Sequence, residues 1–205
     1  MPKFVDHEER CNEIVNALIK LATRIGLHEV TMRAVAAEAN VSLRLVQYYF
    51  TDKAGLMHAA LLKLEADSHQ RWADRLSGKI TSESPRRILE IFANEAIPNE
   101  PDSRTFHLVW LSYAVIAMTD SVMASHPFAD GPKRLERQLC NLFMECQRDG
   151  SLPARANPSF EATRLIALVH GLGTSVMIGH VDAAAAIAVT QRHLDDVFKQ
   201  TKMRN

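Results

Sequence analysis

Cysteine is scarce in this chain. Cys11, Cys140 and Cys146 are its three, no two of them form a CxxC pair, and an odd count fits a reduced intracellular protein better than a disulfide framework. Aromatic residues make up only 6% of the sequence. No stretch approaches the roughly 18 uninterrupted apolar residues of a membrane span, and MPKFVDHEER turns acidic where a signal peptide would become apolar. The expectation is a soluble, cytoplasmic protein with no membrane partner. Charge of either sign is not in excess, because Lys plus Arg equals Asp plus Glu at 24 each, so any nucleic-acid site has to be a local arrangement. The nine histidines include no HxxxH pair and no HExxH, and Cys140 and Cys146 are spaced too far apart to share a helix face. GLGTS at 171–175 lacks the preceding strand and the glycine spacing of a phosphate loop. No metal, no cofactor and no catalytic set is therefore expected, and the chain reads as a non-enzyme.

What is present is helical periodicity. At 205 residues and 47% hydrophobic content the chain is large enough for a substantial core. Ile14, Leu18, Leu21 and Ile25 step by four, three and four, which predicts a helix ending at Gly26 with Asp6, Glu8 and Glu9 at its positive end. Thr31 is placed to cap a second, short helix that Asn40 ends, since Asn tolerates the left-handed backbone of a tight exit. Ser42 caps a third helix running to Tyr49 or Phe50, and Asp52 a fourth running to about Ser77-Gly78. SESP (82–85) and NEPD (99–102) open helices through Ile97 and roughly Ser125, with Pro85 and Pro101 near first-turn positions. Helices near 130–149, 158–179 and 183–199 complete an all-α chain of about nine helices, with no period-two run to suggest strands.

Helix, tight turn and helix within so few residues make a helix-turn-helix, whose second helix enters the DNA major groove. No acidic residue lies between Asn40 and Thr51, while Ser42, Arg44, Gln47, Tyr48 and Tyr49 supply donors. Arg44 stands in the first turn, where its fork can pair with guanine O6 and N7. The expected DNA-facing set is Thr31, Arg33, Ser42, Leu43, Arg44, Gln47, Tyr48 and Lys53.

These residues also carry a resemblance. Arg10 to Gly26, then VTMRAVAAEANVS, then QYYFTDKAGL, resembles the DNA-binding domain of TetR-type repressors over about the first 60 residues. The resemblance implies that Tyr49 and Phe50 pack the recognition helix and that Lys53 caps it or touches phosphate. The chain departs from the pattern in having Asn40 where Gly is usual, Arg44 where Gly is frequent and Gln47 where a phosphate-contacting Tyr is frequent. These departures place the operator sequence, not the fold, in question. Farther on, HLVWLSYAVIAM (107–118) and IALVHGLG (166–173) are similar to the choline-responsive, BetI-like branch. That similarity implies a homodimer built from the last two helices and an effector pocket within the helical bundle.

The resulting expectation is a DNA-binding domain at 1–51 and a ligand-binding, dimerising domain at 52–205. Together they would act as a repressor that grips a palindromic operator as a homodimer and is released by a small molecule. The alternative is a helical ligand-binding protein that no longer binds DNA. Candidate effector residues are His107, Trp110, Tyr113, Met118, His170 and Met177, although core packing explains each of them singly. No Asp or Glu lies between Thr105 and Thr119 to balance a cation, which favours a neutral, largely apolar or aromatic effector over choline. Leu165, Leu168, Leu172 and Val176 form one stripe, and Ile187, Leu194 and Phe198 another; together they are the expected dimer interface.

Overall fold

A computed structural model describes residues 7–77, 84–120 and 130–199. Among them are nine helices and no strand: α1 (His7–Ile25), α2 (Met32–Glu38), α3 (Leu43–Tyr49), α4 (Lys53–Ser77), α5 (Pro85–Ala96), α6 (Pro101–Thr119), α7 (Asp130–Arg148), α8 (Pro158–Met177) and α9 (Ala183–Lys199). Their boundaries follow local chemistry. Ser84 caps α5 by accepting from the Arg87 N–H, with Pro85 at the first-turn position where its missing N–H costs nothing. Asn157 caps α8 by accepting from Ser159 and Phe160, and Asp182 accepts from the Ala185 N–H at the start of α9. Helix α6 ends at Thr119, short of the expected Ser125, and 121–129, with the His126-Pro127 break, lie outside the described residues.

The chain forms two compact units. Among the described residues the first comprises 7–66 and 105–120, the second 67–77, 84–104 and 130–199, so one division falls inside α4 and another inside α6. They do not coincide with a cut between 51 and 52. In the first unit, Ile14 and Leu18 of α1, Val35 of α2, Val46 of α3, Leu56 and Leu61 of α4 and Tyr113 of α6 form one buried cluster. Ile25 does not join it. As the last residue of α1 it is exposed, because Gly26, at φ +83°, turns the chain away, and Leu27 and Val30 enter the core instead. In the second unit, Leu89 and Phe92 of α5, Leu139 and Phe143 of α7, Leu165 and Val169 of α8, and Leu194 and Phe198 of α9 share a second cluster. Arg86 ties α5 to α9 there, donating to Asp195 at 2.7 Å while its guanidinium lies 4.9 Å over the Phe198 ring.

Candidate nucleic-acid interface

The turn between α2 and α3 is locked by backbone bonds before any long-range contact. Asn40 has φ +52°, its N–H donates to the Ala37 carbonyl at 3.1 Å, and the Val41 N–H donates to the Ala36 carbonyl at 2.9 Å. This pair of bonds satisfies carbonyls that a helix end otherwise leaves open, and it requires the left-handed residue that Asn supplies. On either side, Thr31 Oγ1 accepts from the Ala34 N–H and Ser42 Oγ from the Leu45 N–H, both at 3.1 Å. Each cap is worth about 1 kcal/mol to a helix of only two turns. Asp52 Oδ1 accepts from the Gly55 N–H at 2.8 Å and starts α4 immediately after.

Packing then decides which face of α3 is free. Val46 is its one fully buried residue, Leu43 and Tyr49 are half-buried against the first core, and Phe50, just past the helix, joins them. Ser42, Arg44, Gln47 and Tyr48 are left exposed, with Tyr48 71% accessible. Thr31 and Arg33 are exposed at the start of α2. Arg33 and Arg44 are exposed and form no ion pair among the described residues. The nearby acid Glu38 is held in ion pairs: hydrogen bonds from Lys20 and then Arg24 keep its carboxyl below the usual carboxylate range and fasten α2 to α1.

Two members of the DNA-facing set sit differently from the rest. Leu43 is half-buried and serves the packing of α3. Lys53 is half-buried, and its Nζ donates to the His28 carbonyl at 3.2 Å, in the loop between α1 and α2. Burial lowers the Lys53 pKa, and Glu29 opposes the shift. Sequence reasoning missed His7, whose ring lies against Tyr48 and Tyr49. Nothing local could signal it, because the partners are remote in sequence.

The expected effector residues divide between the units. His107, Trp110, Tyr113 and Met118 belong to the part of α6 in the first unit, and His170 and Met177 to α8 in the second. His107 is 3% and Tyr113 0% exposed, and Trp110 is half-buried, its ring centroid 6.5 Å from that of His107. Met118 is 80% exposed, so it stands apart from these three. His170 and Met177 are half-buried, and burial lowers the His170 pKa.

The expected dimer stripes are largely occupied by the chain itself. Leu165, Val176, Leu194 and Phe198 are buried in the second core, which leaves them no surface for a second subunit; Leu172 and Ile187 are half-buried against that core, and Leu168 is half-buried. Helical spacing put these residues on common stripes, and four of the seven face the chain's own core. The outward side of α8 shows Phe160, Ala167 and Gly171, with Ile178 just beyond, and that of α9 shows Ala184, Ala185, Ala188 and Val189. Cys146 is buried, and burial pushes its thiol up to about 11. No helix among the described residues is long and apolar enough to cross a membrane.

A capped, tightly turned helix pair with a polar outer face on its second helix is a helix-turn-helix, and comparison with known proteins gives the class as a DNA-binding transcriptional regulator. Residues 14–60 match the family of bacterial regulatory proteins of the tetR type, and residues 85–199 match the C-terminal domain of BetI-type transcriptional repressors. The chain belongs to the TetR family of transcriptional regulators, with a BetI-type C-terminal domain. It is 27% identical over 198 residues to the HTH-type transcriptional regulator BetI of Burkholderia ambifaria (strain MC40-6), covering 95% of this chain and 97% of that protein. It is 28% identical over 183 residues to the HTH-type transcriptional regulator PksA of Bacillus subtilis (strain 168), covering 88% and 85%. Its fold matches a TetR-family regulator from Rhodococcus sp. with a TM-score of 0.84 at 22% identity, covering 94% and 100% of the two chains. It also matches a transcriptional regulator from Saccharomonospora viridis, solved in complex with choline, with a TM-score of 0.78 at 22% identity, covering 97% and 100%.

Proposed function

We propose that this regulator works in the cytoplasm as a homodimeric repressor that holds a palindromic operator and lets it go when a small molecule binds. The observation that carries the reading is the exposed Ser42, Arg44, Gln47 and Tyr48 face on a helix fixed by the Asn40 turn and the Ser42 cap. Residues 1–51 act as the DNA-binding part and 52–205 as the sensing and dimerising part. With α3 in the major groove, Arg44 reads a base edge and Tyr48 donates to phosphate. Two such helices need a separation of roughly 34 Å, one DNA turn, to grip both half-sites. Effector binding displaces α4, which runs on from the DNA-reading segment, and changes that spacing. The second copy packs on the outward faces of α8 and α9, where Ala167, Gly171, Ala184, Ala185 and Ala188 allow close helix approach and Phe160, Ile178 and Val189 supply apolar area.

His107, Trp110 and Tyr113 form the effector wall, and the absence of a carboxylate between Thr105 and Thr119 favours a neutral, largely apolar or aromatic ligand. A second reading, a quaternary ammonium held by the faces of these rings, is favoured by the choline bound to the Saccharomonospora viridis regulator. Melting curves with choline and with a panel of neutral aromatic compounds separate the two, since a ligand that binds only the folded state raises the melting temperature. A gel shift on the DNA upstream of the protein's own coding region tests the main reading. Its failure, with a ligand-induced rise in melting temperature retained, would favour the alternative of a ligand-binding protein that has left DNA. A monomer at micromolar concentration by light scattering would contradict the dimer.

A further inference from the structure

Three rings meet at the C-terminal end of α3, where its packed side borders its exposed one. Tyr48 and Tyr49 pack edge to face with centroids 5.3 Å apart, and His7, the first residue of α1, stands edge-on to Tyr49 at 4.9 Å and 6.0 Å from Tyr48. Tilted rings at 4.5–7 Å are in the attractive range of aromatic pairs. Tyr49 is half-buried on the first core, so the cluster is anchored on one side, while Tyr48 is 71% exposed. An exposed tyrosine on a short helix ordinarily exchanges among its staggered rotamers. Here Tyr49 and His7 both crowd its ring, and one of the two comes from a different helix.

We propose that His7 is a positioning residue for DNA binding: its ring, packed on Tyr49 and Tyr48, holds the Tyr48 phenol where its hydroxyl donates to a backbone phosphate. The inference rests on α3 being the DNA-reading helix. The imidazole acts through its ring face and edge, not its N–H groups, so another flat ring can replace it. Because phosphate carries no sequence information, the contribution is the same on any duplex. It also gives the first turn of α1 a part in DNA binding, since fraying of that turn withdraws the ring.

The test compares wild type, His7→Ala, His7→Phe, Tyr48→Phe and the His7→Ala/Tyr48→Phe pair on the upstream duplex and on a random duplex. His7→Ala weakens binding to both by about three- to tenfold, the range of one aromatic pair. His7→Phe stays within about twofold of wild type, and His7→Ala adds nothing once Tyr48 has lost its hydroxyl. The proposal is overturned if His7→Ala binds like wild type, if His7→Phe is as weak as His7→Ala, or if the loss persists in the Tyr48→Phe background. The free protein gives a readout independent of DNA: Tyr48 ring resonances shift and average over rotamers in His7→Ala and keep their wild-type pattern in His7→Phe. Unchanged Tyr48 resonances in His7→Ala also overturn it. Wild type failing to bind either duplex would instead remove the DNA-reading role of α3, with the ring measurement still deciding whether His7 orders Tyr48.

Discussion

Glu95→Ala should cost the second unit more than any other single change at its charged contacts. Glu95 lies on α5 with its side chain 4% exposed, accepts from Arg71 Nε at 2.7 Å and pairs with Arg75 Nη2 at 3.0 Å, both arginines standing one turn apart on α4. Removing one partner of a fully buried pair costs about 3–5 kcal/mol, because the other charge is left without compensation. Here water already reaches part of both guanidiniums, whose side chains are 23% and 38% exposed, and Arg75 keeps Glu100 at 3.2 Å. The loss therefore falls mainly on Arg71 and comes to about 2 kcal/mol, or a drop in melting temperature of about 4–8 °C for a chain of this size. Glu95→Gln keeps the shape and an acceptor and should lose about 1 kcal/mol. Arg71→Ala should cost more than Arg75→Ala. Urea unfolding at fixed protein concentration, with unchanged dependence on denaturant, measures all four. A loss below about 0.5 kcal/mol for Glu95→Ala, or an inverted order of the two arginines, would show that Glu95 does not hold Arg71 as a buried ion pair.

Lys53→Ala should lose about 1 kcal/mol of stability, because the His28 carbonyl loses its donor, and should weaken operator and random DNA alike; an operator-only loss would make Lys53 a base reader. Acid should destabilise the fold through His69, His170 and His193, whose pKa values burial lowers, aided by Arg134 at His69 and by Arg164 at His193, where Asp196 opposes. Protons then bind the unfolded chain better, so this stability is complete above the ordinary imidazole value of 6.5 and is lost as pH falls through the folded-state values. The melting temperature should fall as the pH drops below the ordinary imidazole value of 6.5, less steeply in His193→Gln, and a flat profile would contradict the assignment. Trp110→Ala should keep operator binding and lose release by whichever compound raises the wild-type melting temperature. A wild-type response in that variant would return Trp110 to the core.

Local chemistry was legible in the sequence wherever a residue acts on its own turn. Thr31, Ser42 and Asp52 cap the helices they precede, and Asn40 takes the left-handed exit, because each of these roles is settled within four residues. The helix-turn-helix and the exposed side of α3 follow from them. Long-range choices were not legible. Periodicity places Leu165, Val176, Leu194 and Phe198 on common stripes but cannot say what covers a stripe, and the chain's own core covers these. Met118 continues the α6 pattern in spacing yet stands in the open, and Lys53 spends its amine on a carbonyl from the loop between α1 and α2. Glu95 reads as an ordinary acid in α5 until α4 brings two arginines to it.

Whether α3 reads base sequence through Arg44 is decided most directly by fluorescence anisotropy of wild type and Arg44→Ala on the operator and on a base-scrambled duplex at one salt concentration. Wild type should prefer the operator, and Arg44→Ala should lose about 1–3 kcal/mol on the operator with little change on the scrambled duplex, so that the preference collapses at one base position. Equal losses on both duplexes would make Arg44 a phosphate contact, and a wild type without preference would contradict sequence reading by α3 altogether.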